Sequence, residues 1–241
     1  MNWDSYAAAL FDLDGVLTPT AVVHMHAWSR MFNAFLAGRG DDQPPYTDED
    51  YFRYVDGKPR YVGVQSFLTA RGIELPYGDP SDPPTAETVC GLGNRKNEAF
   101  NAVLAAEGIA PYPGSVRLLD HLAERGTALA VVSSSKNARA VLTAAGLLDR
   151  FGVIVDGVVA AELGLPGKPA PDTFTYAADR LGVPTRTCVV LEDAESGVRA
   201  GAAGDFGLVV GVDRGTGADR LRAAGAQVIV TELDELIAGA A

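Results

Sequence analysis

Phe11-Asp12-Leu13-Asp14-Gly15-Val16-Leu17-Thr18 closes a short apolar run, Ala7 to Phe11, with two carboxylates one residue apart and a glycine turn. The run has the length and unbroken apolar character of a buried parallel strand, and such strands deliver ligand-binding groups at their carboxyl ends. Side chains at i and i+2 of an extended chain share a face, so Asp12 and Asp14 can address one small anionic group together. The alternative is an Asx turn that ends the strand, with Gly15 supplying an unusual backbone angle. A motif this short is decided by its context.

Composition bounds that context. The 241 residues suffice for one large or two modest domains, and an apolar share of 47% fills a sizeable core. Lys and Arg total 20 against 31 Asp and Glu, and the net charge of −11 disfavours a general attraction to nucleic acid or to an anionic membrane. An anionic substrate then needs a locally basic pocket or a metal. Cys90 and Cys188 are the two cysteines, outside any CxxC pair, and there is no charged-then-apolar leader and no apolar span of about 20 residues. A reducing cytoplasm and two inert, packed thiols are expected.

After residue 112 the sequence alternates strand and helix. Strands are expected at Thr127 to Ser133, Phe151 to Val155, Thr187 to Leu191, Gly207 to Val212 and Ala226 to Val230. Helices are expected at Ala138 to Ala145, Asp172 to Leu181, Glu195 to Ala203 and Gly217 to Ala224, with Glu232 to Ala238 closing the series. That rhythm predicts an α/β fold with a doubly wound parallel sheet. Between Thr20 and Gly108 the spacing turns helical, in Val22 to Leu36, Asp48 to Tyr54, Tyr61 to Arg71 and Ala86 to Ala106, with the Pro- and Gly-rich Leu75 to Pro84 as a loop. The chain therefore reads as a core of residues 1–19 and 109–241 and a helical cap of residues 20–108. The cap is inserted after the first strand as a lid over the carboxyl edge of the sheet, on hinges near Thr18 to Thr20 and Gly108 to Pro113.

Three further stretches supply chemistry. Val131-Val132-Ser133-Ser134-Ser135-Lys136-Asn137 sets hydroxyls and amides where a strand passes into a helix, a place suited to phosphate oxygens; a plain helix cap is the alternative. Gly167-Lys168-Pro169-Ala170-Pro171-Asp172 fixes one lysine in a stiff loop, although a lone loop lysine is usually a solvated charge. Leu191-Glu192-Asp193 ends another apolar strand in adjacent carboxylates, with capping of the next helix by Asp193 or Ser196 as the alternative. The order is an acidic pair, a hydroxyl, a lysine loop and a second acidic pair.

This order resembles the haloacid dehalogenase superfamily of phosphotransferases, whose fold is a parallel α/β core with a cap inserted after the first motif; all four motifs occur in order along essentially the whole chain. The resemblance implies Asp12 as the nucleophile that becomes an aspartyl phosphate and Asp14 as general acid and base. It implies Ser133 on the transferring phosphoryl oxygens and Lys168 as the charge that offsets carboxylate against phosphate. Magnesium would be held by Asp12, Asp193 and the backbone carbonyl of Asp14, with Glu192 in or near its shell. Hard oxygen ligands suit that ion.

Within the superfamily the cap and the second loop are most similar to the β-phosphoglucomutase family. Thr18-Pro19-Thr20-Ala21 with His24 and Trp28, Val55-Asp56-Gly57-Lys58-Pro59-Arg60, Arg95-Lys96-Asn97 and Ser135-Lys136-Asn137 carry this likeness. It implies Arg60 as the clamp on the distal phosphate, and Lys96 and Asn97 on the sugar phosphate. Thr20, His24, Ser134, Ser135, Lys136 and Asn137 complete the substrate-binding set. Without the resemblance, Arg60 and Lys96 would read as surface charges, His24 as a packing or capping residue, and Trp28 with Phe32 as core. Pro19 departs from the family, which usually has aspartate between the two threonines; proline stiffens the hinge and removes a donor.

The expected activity is interconversion of β-glucose 1-phosphate and glucose 6-phosphate through β-glucose 1,6-bisphosphate. A sugar-phosphate phosphatase on the same motifs is the alternative, and an inactive binding protein on this fold is a third reading. A small-molecule sugar phosphate is the expected partner of a monomer that binds neither nucleic acid nor membrane.

Overall fold

The computed structural model describes residues 1–40 and 42–237. The chain divides into two compact units, Met1–Pro19 with Ile109–Ala241, and Thr20–Gly108. The first unit is built on six strands, β1 Ala8–Phe11, β2 Ala128–Val132, β3 Val153–Val155, β4 Cys188–Glu192, β5 Leu208–Val212 and β6 Val228–Val230. They form one sheet in the order β3-β2-β1-β4-β5-β6, and every neighbouring pair is parallel. This is the expected doubly wound sheet.

Strand β1 lies at the centre because all four of its residues are apolar and buried on both faces. Its register sets Phe11 opposite Val131 of β2 and Leu191 of β4. The chain leaves β1 towards β2 on one side and returns to β4 on the other, so the sheet reverses direction of winding at β1. In open parallel sheets, ligands bind beside such a reversal, at the carboxyl ends of the strands. On one face Leu10, Ala130, Val132, Cys188 and Val190 pack with Phe174 and Phe206 in a single buried cluster.

Most helices fall within a residue or two of their expected places, including Asp172–Leu181 and Glu195–Ala203. Three features of this unit differ. Asp156 caps a helix over Gly157–Glu162 by accepting from the N–H groups of Val158 and Val159. Pro113 starts a helix through Glu124, with Leu118, Leu119 and Leu122 on its buried side. The segment expected over Glu232 to Ala238 is a 3-10 turn at Leu233–Leu236, and Ala238 lies outside the described residues.

The second unit is helical, with Thr20–Arg39, Asp48–Asp50, Arg60–Ala70 and Val89–Glu107, and no strand occurs among its described residues. Over Tyr51–Val55 the chain widens into a π-helical turn. Trp28, Phe32, Val64, Phe67, Leu68 and Leu92 form its core, so the Trp28 and Phe32 stripe packs as expected. Across both units, no described helix is long and apolar enough to cross a membrane.

Candidate active site

The site in the first unit grows from three strand ends and one loop. Asp12 follows β1 directly, and its backbone N–H donates to Leu191 O at 2.9 Å, which extends the ladder one residue beyond the strand. Leu13 and Val16 are buried, which draws the turn after Asp12 into the core. Gly15 has φ +86°, and a Cβ there would overlap the Asp193 carboxylate. The positive angle and the close approach both require glycine. Glu192 is the last residue of β4, with Asp193 immediately after it.

Lys168 is buried, contrary to the usual fate of a lone loop lysine. Its Nζ donates to Asp12 Oδ1 at 2.5 Å, Glu192 Oε1 at 2.6 Å and Val132 O at 2.9 Å, which uses all three ammonium protons. Glu192 also accepts from the Ala194 N–H through Oε2. A Cβ at Gly197 would overlap the Glu192 carboxylate, so the start of the next helix packs directly on it. The residue that opens this helix, Ala194, makes no side-chain capping bond.

Burial pushes the Asp12 carboxyl well above its ordinary range; Lys168 opposes that shift, while Glu192 and Asp14 add to it. Burial alone would depress the Lys168 amine, but Asp12 and Glu192 outweigh it and raise its pKa. The lysine is therefore charged, and the carboxylates around it remain in excess. Asp12, Glu192 and Asp193 each present an oxygen within 4.8 Å of the others. Three buried hard-oxygen donors with one ammonium among them suit a divalent cation.

Ser133 follows β2, buried, and its Oγ accepts from the Ser135 N–H. The Ser135 Oγ accepts in turn from the Asn137 N–H. These two turns shape the loop ahead of the helix at Ala138–Ala144, whose N-cap, Asn137, makes no side-chain capping bond. Ser134, Ser135, Lys136 and Asn137 are all half-buried. Asp14 is half-buried as well.

In the second unit Arg60 directs one guanidinium nitrogen to Asn97 Oδ1 at 2.7 Å and another to Asn94 Oδ1 at 3.3 Å. Its acceptors are neutral amide oxygens and its guanidinium carbon lies 5.8 Å from the Tyr61 ring centroid, so none of these contacts cancels its positive charge. Lys96 is buried rather than on the surface. Its Nζ meets His24 Nδ1 and lies 4.9 Å from the Trp28 ring centroid and 5.1 Å from that of Phe100. The His24 ring stacks on Phe100 at 4.0 Å. Thr20 is buried at the start of the first helix. Asn94 belongs to none of the expected site motifs. It accepts from Arg60 and Tyr61 and donates to Pro80 O and Asp82 O, tying the arginine to the Pro-rich loop. The only sequence signal for it is its place directly before Arg95-Lys96-Asn97.

The sequence model of haloacid dehalogenase-like hydrolases matches residues 6–205. A β-phosphoglucomutase of Mycobacterium bovis is 51% identical over 240 residues, covering 95% of this chain and 91% of that protein. A β-phosphoglucomutase of Bacillus subtilis is 33% identical, covering 85% of this chain and 83% of that one. Among solved structures, that of β-phosphoglucomutase from Clostridium difficile superposes with a TM-score of 0.75 at 25% identity, covering 96% of this chain and 93% of that one.

Proposed function

Because the chain belongs to the haloacid dehalogenase-like hydrolase family, we propose that it is a magnesium-dependent β-phosphoglucomutase acting through a phosphoryl group carried on Asp12. The observation that carries this reading is the buried set of Asp12, Glu192 and Asp193 at the strand ends, with Lys168 reaching in from its loop. The 51% identity across 95% of the chain supports the choice of mutase within the family.

Asp12 sits at the winding reversal of the sheet, where its carboxylate can attack phosphorus. The phosphoenzyme passes its group to the C6 hydroxyl of β-glucose 1-phosphate, giving the 1,6-bisphosphate. After the sugar turns over, Asp12 takes the C1 phosphoryl group and glucose 6-phosphate is left. Asp14 removes the proton from the attacking hydroxyl and returns one to the departing sugar oxygen, work suited to a half-buried carboxyl beside the nucleophile. Lys168 offsets the repulsion between the Asp12 carboxylate and the incoming phosphate, and Ser133 receives the transferring oxygens. Phosphoryl transfer needs mainly this alignment and neutralised charge.

Asp12, Asp193 and the Asp14 backbone carbonyl would hold the magnesium ion. When bound, the ion supplies further charge neutralisation at the transferring oxygens. The Glu192 oxygens already serve Lys168 and the Ala194 N–H, so its main task is to hold the lysine beside Asp12. Arg60 takes the distal phosphate in a planar fork, and Asn94 and Asn97 orient that fork without cancelling its charge. Lys96, Asn97, Thr20, His24 and the Ser134 to Asn137 loop bind the rest of the sugar phosphate. We place it in the cytoplasm as a monomer, a state that the self-repulsion of a net charge of −11 favours.

Pro19, half-buried at the end of the first unit, departs from the aspartate usual in the mutase family, and that departure favours a second reading as a sugar-phosphate phosphatase. Mass spectrometry of protein quenched after mixing with magnesium and β-glucose 1,6-bisphosphate tests the shared step. One phosphoryl group on the peptide that contains Asp12 is expected. Label on another residue, or none with full turnover, would overturn the mechanism.

A further inference from the structure

One five-residue loop outside the four motifs reaches both halves of the carboxylate site. Asp213-Arg214-Gly215-Thr216-Gly217 follows β5, and its shape is fixed by its first residue: Asp213 Oδ1 accepts from the N–H groups of Gly215 and Gly217, each at 3.0 Å. Both glycines have positive φ, +119° and +97°, so this closed turn is one that other residues rarely adopt. Asp213 N–H donates to Val230 O at 2.8 Å, which anchors the loop to the sheet.

Two side chains leave this rigid base. The buried Thr216 Oγ1 donates to the backbone carbonyl of Asp193 at 2.9 Å. Arg214 Nε donates to the backbone carbonyl of Gly15 at 3.1 Å, while its two terminal nitrogens fork onto the Glu232 carboxylate at 2.7 and 3.2 Å. Its guanidinium carbon lies 3.9 Å from the Tyr112 ring centroid, and Tyr112 N–H donates to Leu17 O. Gly15 and Asp193 are also apposed, since a Cβ on Gly15 would overlap the Asp193 carboxylate. The loop therefore grips the two sides of one contact from behind. One side is the turn that aims Asp12 and Asp14, and the other is the segment that carries Asp193.

We propose that Arg214 and Thr216 are positioning residues that set the spacing between the Asp12 turn and Asp193, and through it the affinity for the divalent ion and the rate of phosphoryl transfer. This rests on the phosphotransferase reading of the site. Groups that hold metal ligands in place typically alter metal affinity by about 10- to 100-fold when removed. Because both side chains act through the backbone carbonyls of Gly15 and Asp193, KM for β-glucose 1-phosphate at saturating metal should stay near its original value while kcat falls.

The test uses Thr216→Val, which keeps the shape and removes the donor, Thr216→Ser, which restores it, and Arg214→Gln as an independent variant. Free Mn²⁺ is titrated by electron paramagnetic resonance on the substrate-free protein, and kcat and KM are measured separately. Thr216→Val and Arg214→Gln should each weaken Mn²⁺ binding and lower kcat by about tenfold, with Thr216→Ser within about threefold of the unsubstituted protein. If Thr216→Val does not fold, Arg214→Gln decides alone. Folded variants with unchanged Mn²⁺ affinity and kcat, whatever their thermal stability, would overturn the proposal. An unsubstituted protein that binds no Mn²⁺ would instead sink the reading of the site, and this proposal with it.

Discussion

Lys168→Met removes one charge and three hydrogen bonds from the centre of the site while keeping most of the side-chain volume. Methionine is close to lysine in length and fills an irregular core gap, so the cavity contribution is small. What is lost is an ammonium 2.5 Å from Asp12 and 2.6 Å from Glu192, with side chains only 2%, 10% and 1% exposed for Lys168, Asp12 and Glu192. Breaking a buried pair by deleting one partner costs about 3–5 kcal/mol, because the other charge stays behind uncompensated. Here two carboxylates stay behind. The loss should therefore reach at least the middle of that range near neutral pH, measured by urea unfolding with chelator present.

The pH dependence has a definite sign. The folded-state pKa of Asp12 already lies above its unfolded value, and burial is the largest cause. Such a carboxyl binds its proton more tightly when folded, so it disfavours folding above the folded pKa and ceases to do so below the unfolded one. Removing Lys168 raises the folded pKa further. The stability gap between Lys168→Met and the original protein should therefore shrink on acidification from about pH 7.5 to about pH 5.5. Adding Glu192→Gln should restore part of the loss, because it removes one stranded charge. A loss under about 1 kcal/mol, or one that widens in acid, would refute the argument from uncompensated burial.

Asp12→Asn should abolish both sugar isomerisation and phosphate release while the protein stays folded; turnover above about a hundredth of the original would rule out Asp12 as nucleophile. Arg60→Ala should raise KM for the bisphosphate by about tenfold or more and shift product towards free phosphate, whereas an unchanged KM would remove Arg60 from the phosphate clamp. Burial pushes the Cys188 thiol up to about 11, and both cysteines are fully buried. Neither should react with a thiol reagent near pH 8 until the chain is unfolded, and rapid labelling of the native protein would contradict the packing described.

What could be read from the chain and what could not differ by the range of the forces involved. The central strand and the carboxylates at its end are local: an apolar run stops at Asp12, and another stops at Glu192 and Asp193. The parallel order of the sheet follows from the alternation of such runs with helical spacing. The burial of Lys168 is not local, because its partners Asp12 and Glu192 lie 156 and 24 residues away. Lys96 reads as a surface charge for the same reason, since His24, Trp28 and Phe100 enclose it only after folding. The helix at Gly157–Glu162 was hidden because its apolar residues continue the run of β3, and only the cap on Asp156 marks the break. Arg214 and Thr216 were silent because each acts through the backbone of a distant segment, and a carbonyl has no sequence signature.

The most direct measurement follows glucose 6-phosphate and free phosphate in one reaction, started with magnesium, β-glucose 1-phosphate and a trace of β-glucose 1,6-bisphosphate. The mutase reading requires glucose 6-phosphate to dominate, with free phosphate as a small leak by water attack on the Asp12 phosphoryl group. Free phosphate as the main product would contradict it and make the protein a sugar-phosphate phosphatase built on the same carboxylates.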